Sequence, residues 1–389
     1  MAELLNHNEI IKAIAFYLPQ FHAIEENDKA WGKGFTEWSN TRKARPLFDG
    51  HYQPRIPLNE DYYNPLDEGV MHRQTVLAKQ YGIFGFCYYH YWFNGKKLLE
   101  KPIEMMLNDK SIDIPFCLSW ANENWTRKWD GGSNEIIVEQ NYGDKEEWEK
   151  HLQYLIPFFN DSRYITYDGK PILIIYKLVI IPKVQKMMHY FKKRVIELGF
   201  KGLMIIGQNP VNYFHGKKNQ YDFHIMFEPW FTDSELSFRQ SLRYHSSIYK
   251  VAVFFKFEWV LVKTYHSIKK IFTNKKNTKE EPQLKIKDYD HYWKCILSRR
   301  KTDLKLISGA FTDWDNTARN KTGFVYKGST PEKFGKYMEE LVTNLKKENK
   351  NIVFINAWNE WAECAYLEPD EQYGYRYLKA LKNALSVHI

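Results

Sequence analysis

The chain has 389 residues, of which 44% are hydrophobic and 17% aromatic, and its formal net charge is +9 at pH 7. No apolar run reaches the ~18 residues that a membrane-spanning helix needs, which argues against such a span. The charge excess lies in one segment, because residues 250–301 carry fourteen Lys and Arg against five Asp and Glu, a balance of +9. The remainder is close to neutral, so the charge does not indicate a nucleic-acid-binding protein.

The cysteines and the N-terminus predict the cellular compartment. The four cysteines are scattered without a CxxC pair: Cys87, Cys117, Cys295 and Cys364. We expect reduced thiols and neither disulfides nor a zinc site. The first ten residues lack the basic start and apolar stretch of a signal peptide, so we expect a soluble protein of the cytoplasm.

The first predicted strand covers residues 12–17, and a long segment rich in aromatic and polar side chains follows it. Loops of more than ~15 residues inside compact domains are uncommon and usually functional. We therefore favour a functional role for this segment over a mere cover for one end of the fold. Its substrate-binding candidates, counted from the strand onward, are Tyr17, His22, Glu37 and Trp38.

Seven further apolar stretches alternate with helical patterns along the chain. Continuous apolar runs are typical of parallel strands that are buried on both faces. We predict strands at residues 83–93, 114–120, 171–176, 203–208, 223–227, 304–311 and 352–355, and helices at 67–81, 102–108, 145–159, 183–198, 331–347 and 375–386. Eight strands alternating with helices predict a single α/β domain over residues 1–389, a closed (β/α)8 (TIM) barrel with elaborated βα loops.

Polar and aromatic side chains follow most of these strands at their C-terminal ends, where such barrels build their active sites. The substrate-binding candidates after strands two, three, six and seven are Tyr89, His90, Trp92, Trp120, Asn122, Glu123, Trp125, Glu228, Asp313 and Arg319. The tryptophans suit stacking on sugar rings, with strand-end core packing as the alternative. The charged candidates suit hydroxyl binding, with salt bridges at the rim as the alternative.

An insertion separates predicted strands six and seven, at about residues 231–302. It contains the apolar run 251–262, followed by lysine pairs at 269–270 and 275–276. We favour an amphipathic helix packed on the barrel with a solvated basic face. The alternative is peripheral contact of residues 250–301 with an anionic surface, either the inner face of the membrane or a polyanionic glycan.

The last predicted strand runs directly into a dense group of amides, indoles and carboxylates: Asn356, Trp358, Asn359, Glu360, Trp361 and Glu363. Two carboxylates three residues apart suit an approach to one glycosidic bond from different sides. The alternative is a rim strand whose Glu and Asn cap the next helix, but capping does not need the two tryptophans. We predict Glu360 and Glu363 as catalytic residues and the other four as substrate-binding residues.

Several long motifs, in a fixed order, resemble a known family. They are Phe16-Tyr-Leu-Pro-Gln-Phe-His22, Gly34-Phe-Thr-Glu-Trp38, Gln53-Pro54, Ser119-Trp-Ala-Asn-Glu-Asn-Trp125, Asn356-Ala-Trp-Asn-Glu-Trp-Ala-Glu363 and Leu367-Glu-Pro-Asp370. Over nearly its whole length the chain resembles the WbsX-type, glycosyltransferase-like proteins of bacterial surface-polysaccharide loci. That family is related to glycoside hydrolase family 99, the endo-α-mannosidases and endo-mannanases.

The resemblance implies roles for the two glutamates. In the hydrolase relatives the motif Asn-Glu-Trp-His-Glu-Gly carries both carboxylates, which match Glu360 and Glu363. The first takes the proton of the sugar 2-hydroxyl, whose oxygen attacks C1 to form a 1,2-anhydro sugar, and the second protonates the leaving oxygen. These roles ask for a protonated Glu363 and an ionised Glu360. Ala362 and Cys364 stand where the relatives have histidine and glycine, so mannose is not assumed.

Three functional hypotheses follow. The first is a retaining glycosidase or transglycosylase acting on α-linked bacterial surface polysaccharide, such as O-antigen or capsule, or its intermediates. The second is a glycosyltransferase with a nucleotide- or lipid-linked donor, although the sequence has no glycine-rich phosphate loop. A non-catalytic glycan-binding protein is disfavoured because both glutamates are present. We expect an oligosaccharide or polysaccharide partner, no cofactor and no metal, since His90 has no second ligand at metal spacing.

Overall fold

The computed structural model describes residues 2–3, 10–127, 135–216, 219–244, 283–299 and 304–387. Its centre is a closed barrel of eight parallel strands, in which each strand pairs with the next along the chain and the last pairs with the first. The strands are β1 (Lys12–Tyr17), β2 (Ile83–Phe93), β3 (Phe116–Trp120), β4 (Lys170–Ile175), β5 (Met204–Gly207), β6 (Phe223–Ile225), β7 (Leu306–Phe311) and β8 (Ile352–Asn356). The predicted (β/α)8 barrel is confirmed.

Successive residues of a barrel strand face opposite sides, and this alternation decides which side chains reach the site. In β1, the ring of Phe16 lies 5.6 Å from that of Tyr89 and 5.2 Å from that of Phe227, inside the barrel. Tyr17, the next residue, packs 4.5 Å from Tyr88 and donates a hydrogen bond to Gln74 in the surrounding helix layer. Both faces of the strand are therefore buried, which is why its sequence is continuously apolar.

Helices surround the barrel and complete its loops. They are α1 (Glu25–Trp31), α2 (Glu37–Lys43), α3 (Val70–Gln80), α4 (Lys101–Asn108), α5 (Lys145–Phe159), α6 (Val184–Glu197), α7 (Pro210–His215), α8 (Trp230–Tyr244), α9 (Tyr289–Ser298), α10 (Pro331–Lys347) and α11 (Arg376–Leu385). Side-chain caps define two of the predicted starts, because Asp144 accepts from the backbone N–H of Glu146 and Thr330 from that of Lys333.

The long segment after β1 differs from expectation because it contains two helices. Both α1 and α2 have only seven residues, too few for a helical period to be recognised in the sequence. The start of α2 is formed by a capping box, in which the side chains of Thr36 and Ser39 bond each other's backbone N–H groups. This short helix brings Glu37 and Trp38 to the C-terminal end of the barrel.

The insertion after β6 begins with α8 and ends with α9, and ion pairs join α8 and Glu228, which precedes it, to the residues that flank α9. Arg299 lies 2.9 Å from Glu228 and 2.8 Å from Glu235, and Lys287 pairs with Asp233. Residues 245–282 and 300–303 lie outside the described residues. The predictions for the apolar run 251–262, for the lysine pairs, and for membrane contact through residues 250–301 therefore stay predictions.

The cysteines have the predicted free state, and three of the four are buried. Cys87 and Cys117 lie opposite each other on β2 and β3. Within the described part of the chain, no helix combines the length and the apolar character that a membrane crossing demands.

Candidate active site

The segment after β8 folds into a tight hairpin that carries both predicted catalytic carboxylates. Asn359–Glu360 pairs antiparallel with Ala365–Tyr366, and Trp361–Glu363 forms one turn of 3-10 helix between them. The Glu360 side chain is 8% exposed and the Glu363 side chain 20%. Glu360 is therefore the deeper of the two, and Glu363 is the one that solvent reaches more easily.

Arg319, from the loop after β7, joins the two glutamates. Its Nη1 donates to Oε1 of Glu363, and its Nη2 lies 3.5 Å from Oε2 of Glu360 and 2.7 Å from Oε1 of Glu37. One buried guanidinium is thus surrounded by three carboxylates. With all four groups ionised, the cluster would carry a net charge of −2 in a poorly solvated position, which favours protonation of a carboxylate.

Glu37 supports the hairpin from α2. Its side chain is fully buried, and its Oε1 accepts both from Arg319 and from the backbone N–H of Ala362, at 2.9 Å. Ala362 lies between the two catalytic candidates in the chain, so this bond holds the turn on which both depend. Glu37 and Arg319 were expected to bind sugar hydroxyls. In the structure they form the ion pair that was the alternative for both.

The two glutamates have different electrostatic surroundings. Burial raises the pKa of both Glu360 and Glu363. At Glu360 the charge of Glu363 raises the pKa further, whereas at Glu363 the direct contact with Arg319 is the first influence that opposes burial. We therefore place the shared proton of the free protein on Glu360. This order is the reverse of the one that the resemblance implies, because Arg319 touches Glu363 and stands farther from Glu360.

Tyrosines surround Glu360 on the barrel side. Burial raises the pKa of Tyr89, Tyr91 and Tyr176, and the charge of Glu360 raises each of them further. All three are therefore neutral hydroxyls at pH 7 and suit hydrogen bonding to sugar oxygens. Tyr89 was predicted, but Tyr91 and Tyr176 were missed. The strand period of two was the available signal for Tyr91, since residues 89 and 91 share one face of β2.

The same alternation turns His90 and Trp92 away from the site. Nε2 of His90 lies 2.9 Å from Nε2 of His151 on α5, and the Trp92 ring stacks on His151 at 4.9 Å. The indole N–H of Trp92 donates to Glu147, at 2.7 Å. Both residues were expected to bind substrate, but they lie in the layer between strands and helices, on the face of β2 opposite Tyr89 and Tyr91.

The buried histidine pair should make stability depend on pH. Burial lowers the pKa of His90 to about 3 and that of His151 well below its usual range. Below pH ~6.5 the unfolded chain takes up protons that the folded protein refuses, so each histidine lowers the free energy of unfolding by about 1.4 kcal/mol per pH unit. Urea unfolding between pH 7 and 5, values chosen around the usual histidine pKa of ~6.5, should show this slope.

A His90→Gln/His151→Gln double variant should lose that part of the slope, because glutamine does not titrate. The matched control is His72→Gln, which changes an exposed histidine on α3. If the double variant and the wild type lose the same stability as the pH falls, His90 and His151 do not contribute to the pH dependence of unfolding.

The predicted tryptophans are packed in the protein interior and do not form open stacking surfaces. The six candidates are at most 7% exposed: Trp38, Trp92, Trp120, Trp125, Trp358 and Trp361. Trp361 stacks on Tyr366 at 3.9 Å and donates its indole N–H to Glu368, and Trp358 packs against Phe86 at 5.1 Å. Sugar stacking at these positions stays a prediction, and it requires the covering groups to move.

The amide candidates are engaged with the backbone of neighbouring loops. Asn359 accepts from the N–H of Leu18 at 2.7 Å and donates to its carbonyl at 3.1 Å, which fastens the end of β1 to the hairpin. Asn122 bonds both backbone groups of Lys177. Asn356 donates to the carbonyl of Glu228 at 3.1 Å. These amides therefore position the ends of strands, and direct sugar contact by them stays a prediction.

The remaining candidates are distributed around the rim. Glu228 is fully buried against Arg299, and Asp313 lies 2.7 Å from Nη2 of Arg55. Glu123 forms a half-exposed ion pair with Lys177, at 2.8 Å. Tyr17 faces the helix layer, as described above. His22 is 2% exposed and lies beside Trp38, away from the glutamates, in a groove that is described below. None of these five contacts the Arg319 cluster in the described structure.

A second buried network of hydrogen bonds, which the sequence predictions did not include, holds the backbone of Glu363. Asp315 donates its backbone N–H to the carbonyl of Glu363 at 2.8 Å, and its carboxylate lies 2.7 Å from both His51 and Gln53. Gln53 also approaches the sulfur of Cys364 at 3.1 Å. Cys364 has a φ of 55°, a left-handed conformation that favours glycine. The Gln53-Pro54 motif was the signal for this network.

Among the described residues, no group of three or more His, Cys, Asp and Glu side chains is placed to hold a metal ion. In the candidate site the position between the carboxylates is occupied by the guanidinium of Arg319. The arrangement therefore suits proton transfer between paired carboxylates.

Comparison with protein families confirms the resemblance. A family model described as Glycosyltransferase WbsX matches residues 13–381. The chain is 32% identical over 385 residues to a protein of Xanthomonas campestris pv. campestris strain B100 that is described as "Uncharacterized protein WxcX". It is 32% identical over 378 residues to the protein of the same description in strain ATCC 33913. The alignments cover 96% of this chain, which spans about half (49%) of the length of these relatives.

Solved structures share the fold. A protein described as "Glycoside hydrolase-like protein" superposes with a TM-score of 0.55 at 13% identity, covering 99% of this chain and 96% of its own. The GH99 endo-alpha-mannosidase from Bacteroides thetaiotaomicron superposes with a TM-score of 0.53 at 10% identity, covering 97% of both chains. At such low identity these likenesses concern the barrel architecture alone.

Proposed function

This chain belongs to the family described as Glycosyltransferase WbsX, and from that premise we propose that it is a carbohydrate-active enzyme that cleaves or transfers an α-glycosidic bond with retention. The observation that carries the proposal is the pair Glu360 and Glu363, buried around Arg319 at the C-terminal end of the barrel. The proposed substrate is a bacterial surface polysaccharide or one of its intermediates, and the proposed catalytic domain spans residues 1–389.

The proposed first step uses the 2-hydroxyl of the sugar, as in the hydrolase relatives. Ionised Glu360 takes the proton of that hydroxyl, O2 attacks C1, and the bond from C1 to the leaving oxygen breaks. Glu363 gives its proton to the leaving oxygen. The product is a 1,2-anhydro sugar, with the transferred proton on Glu360. The depth of Glu360, whose charge acts on neighbouring tyrosine hydroxyls, supports this assignment.

The proposed second step returns both protons. A water molecule or an acceptor hydroxyl gives its proton to Glu363, and its oxygen attacks C1. The bond from C1 to O2 breaks, and O2 takes its proton back from Glu360. Two inversions at C1 give net retention. The greater exposure of Glu363 supports its role here, because the nucleophile arrives from solvent.

These roles require one proton to change places when substrate binds. The free protein holds the shared proton on Glu360, and the first step needs it on Glu363. A hydrogen bond from the 2-hydroxyl favours the charged form of Glu360. Arg319 is placed to follow the charge, because its Nη2 already stands 3.5 Å from Glu360. We propose that its contact shifts from Glu363 toward Glu360 as the proton moves.

The second candidate is a glycosyltransferase with a nucleotide- or lipid-linked donor. The family description favours it. The chemistry at the two glutamates would be similar, with an acceptor hydroxyl in place of water.

The test is incubation of the purified protein with a panel of α-linked oligosaccharides and, separately, with nucleotide-sugar donors, followed by mass spectrometry of the products. Cleavage or transfer without a nucleotide supports the glycosidase or transglycosylase. Strict dependence on a nucleotide donor supports the transferase. Tight binding of a glycan without any turnover would contradict catalysis and favour a non-catalytic glycan-binding protein.

A further inference from the structure

Beside the catalytic hairpin, α2 borders a surface groove of about 630 Å³. It is separate from the Arg319 cluster, which lies on the other side of α2. Four aromatic rings and two cations provide its main walls: Phe21, Trp38, Tyr62, Tyr63, Arg42 and Lys43. Aromatic walls with a few polar groups are typical of sites for small organic ligands.

The groove is cationic. Arg42 and Lys43 are exposed, and neither makes an ion pair within the described ranges of the chain. The guanidinium of Arg42 lies over the ring of Tyr62, 3.7 Å from its centroid, which orders the side chain. Two positive charges therefore meet in one concave surface.

Three acids of neighbouring segments are already engaged. Glu25 pairs with Lys29, and Asp61 pairs with Arg73. Asp28 accepts from the backbone N–H of Gly34 at 2.8 Å. Among the described residues, no Asp or Glu lines the groove itself. An anionic ligand would supply a partner for the two cations.

A buried histidine adds a neutral polar group to the same wall. His22 is 2% exposed, and its Nδ1 lies 3.2 Å from the carbonyl oxygen of Ala23. A neutral imidazole that donates from Nδ1 has an acceptor at Nε2, and within the described residues that atom has no partner. A sugar hydroxyl suits this acceptor.

The groove is connected to the catalytic hairpin through α2. The ring of Trp38 lies 5.3 Å from that of Trp361, and Glu37, the preceding residue, lies 2.7 Å from Arg319.

We infer that this groove binds an anionic group, a carboxylate or a phosphate, of a carbohydrate ligand. The guanidinium of Arg42 and the ammonium of Lys43 bind the anion, and the half-buried ring of Tyr62 lies beside them. The inference rests on the proposed function only for the carbohydrate nature of the ligand. A uronic acid and a glycosyl diphosphate share the required chemistry, and the experiment separates them.

The test is calorimetric binding of three probes to the wild type and to an Arg42→Gln/Lys43→Gln variant. The probes are trigalacturonate, a uridine diphosphate sugar and neutral maltotriose. We expect one anionic probe to bind the wild type and the variant to bind it about tenfold more weakly, since two charge-assisted contacts are lost. The affinity of the wild type should also fall as salt rises from about 10 mM to about 1 M, because the Debye length shortens from roughly 30 Å to about 3 Å.

The matched control is Lys347→Gln/Lys379→Gln, which removes the same charge from exposed positions on α10 and α11. Equal weakening in both double variants, or no binding of either anionic probe to the wild type at low salt, overturns the inference. Binding of trigalacturonate identifies a uronic acid as the ligand group, and binding of the diphosphate sugar identifies a phosphate. Because binding is measured without turnover, the result stands apart from any failure of the glutamates to catalyse.

Discussion

A Glu363→Gln variant and a Glu360→Gln variant are each expected to lose about 10²–10⁴-fold in turnover of a competent α-glycoside, the usual contribution of one general acid or base. Glutamine keeps the size and the hydrogen-bonding capacity of glutamate but cannot exchange a proton. Both side chains contact or approach Arg319, so removal of a negative charge from this crowded cluster should leave folding intact. Steady-state kinetics, together with circular dichroism of each variant, measures the effect.

The two variants should differ when the leaving group changes. An aryl glycoside with an acidic phenol needs little protonation in the first step. Phenol release in a single turnover should therefore recover much of its rate in Glu363→Gln and none of it in Glu360→Gln. The opposite pattern would exchange the roles, in agreement with the proton order of the free protein. Glu339→Gln, an exposed position on α10, is the matched control. Wild-type activity in either catalytic variant would refute the assignment.

An Arg319→Met variant is expected to lose about 3–5 kcal/mol of stability at neutral pH, because buried carboxylates lose the charge that compensates them. Arg319 is 9% exposed and contacts Glu37 and Glu363 directly. Without it, the pKa of Glu363, which burial already raises, rises further because the opposing charge of Arg319 is gone. Groups of this kind contribute stability below the unfolded pKa that is lost as pH rises through the folded pKa. The defect should therefore shrink as the pH falls from 8 toward ~4.5, near the usual carboxyl pKa.

Urea denaturation of Arg319→Met across this pH range checks the prediction. The control is Arg376→Met, which breaks an exposed pair with Glu332 and should cost less than about 1 kcal/mol at every pH. An Arg319→Met/Glu37→Gln variant should recover part of the loss, because one uncompensated charge is removed with the cation. A loss in Arg319→Met no larger than in the control would show that the cluster is not held by charge.

The barrel was predictable because the amino-acid composition of its strands reflects their burial. Strand bounds agree with expectation within about two residues, since a strand covered on both faces has continuous apolar sequence. The short helices α1 and α2 and the helices at the ends of the insertion were not predicted. They depend on caps and on ion pairs such as Arg299 with Glu228, which join distant parts of the chain.

The location of the candidate site was predictable from the sequence, but the set of residues that form it was less so. Glu360 and Glu363 stand out because polar groups directly after a buried strand lie at the edge where barrels build their sites. His90 and Trp92 were expected in the site because all polar and aromatic residues near the end of β2 were predicted to face it. The two faces of β2 separate them from Tyr89 and Tyr91, and the strand period was sufficient to distinguish these pairs.

The amino-acid sequence by itself determined the barrel, the order of its strands and the position of two glutamates at a strand end, because each follows from local hydrophobic pattern. Only the tertiary structure decided that residues 37 and 319 meet the hairpin at 360–363 and that Arg319 contacts Glu363 more closely than Glu360. The physical reason is that closure of the ring brings together side chains hundreds of positions apart. The charge and burial of each carboxylate depend on those neighbours, and no local pattern encodes them.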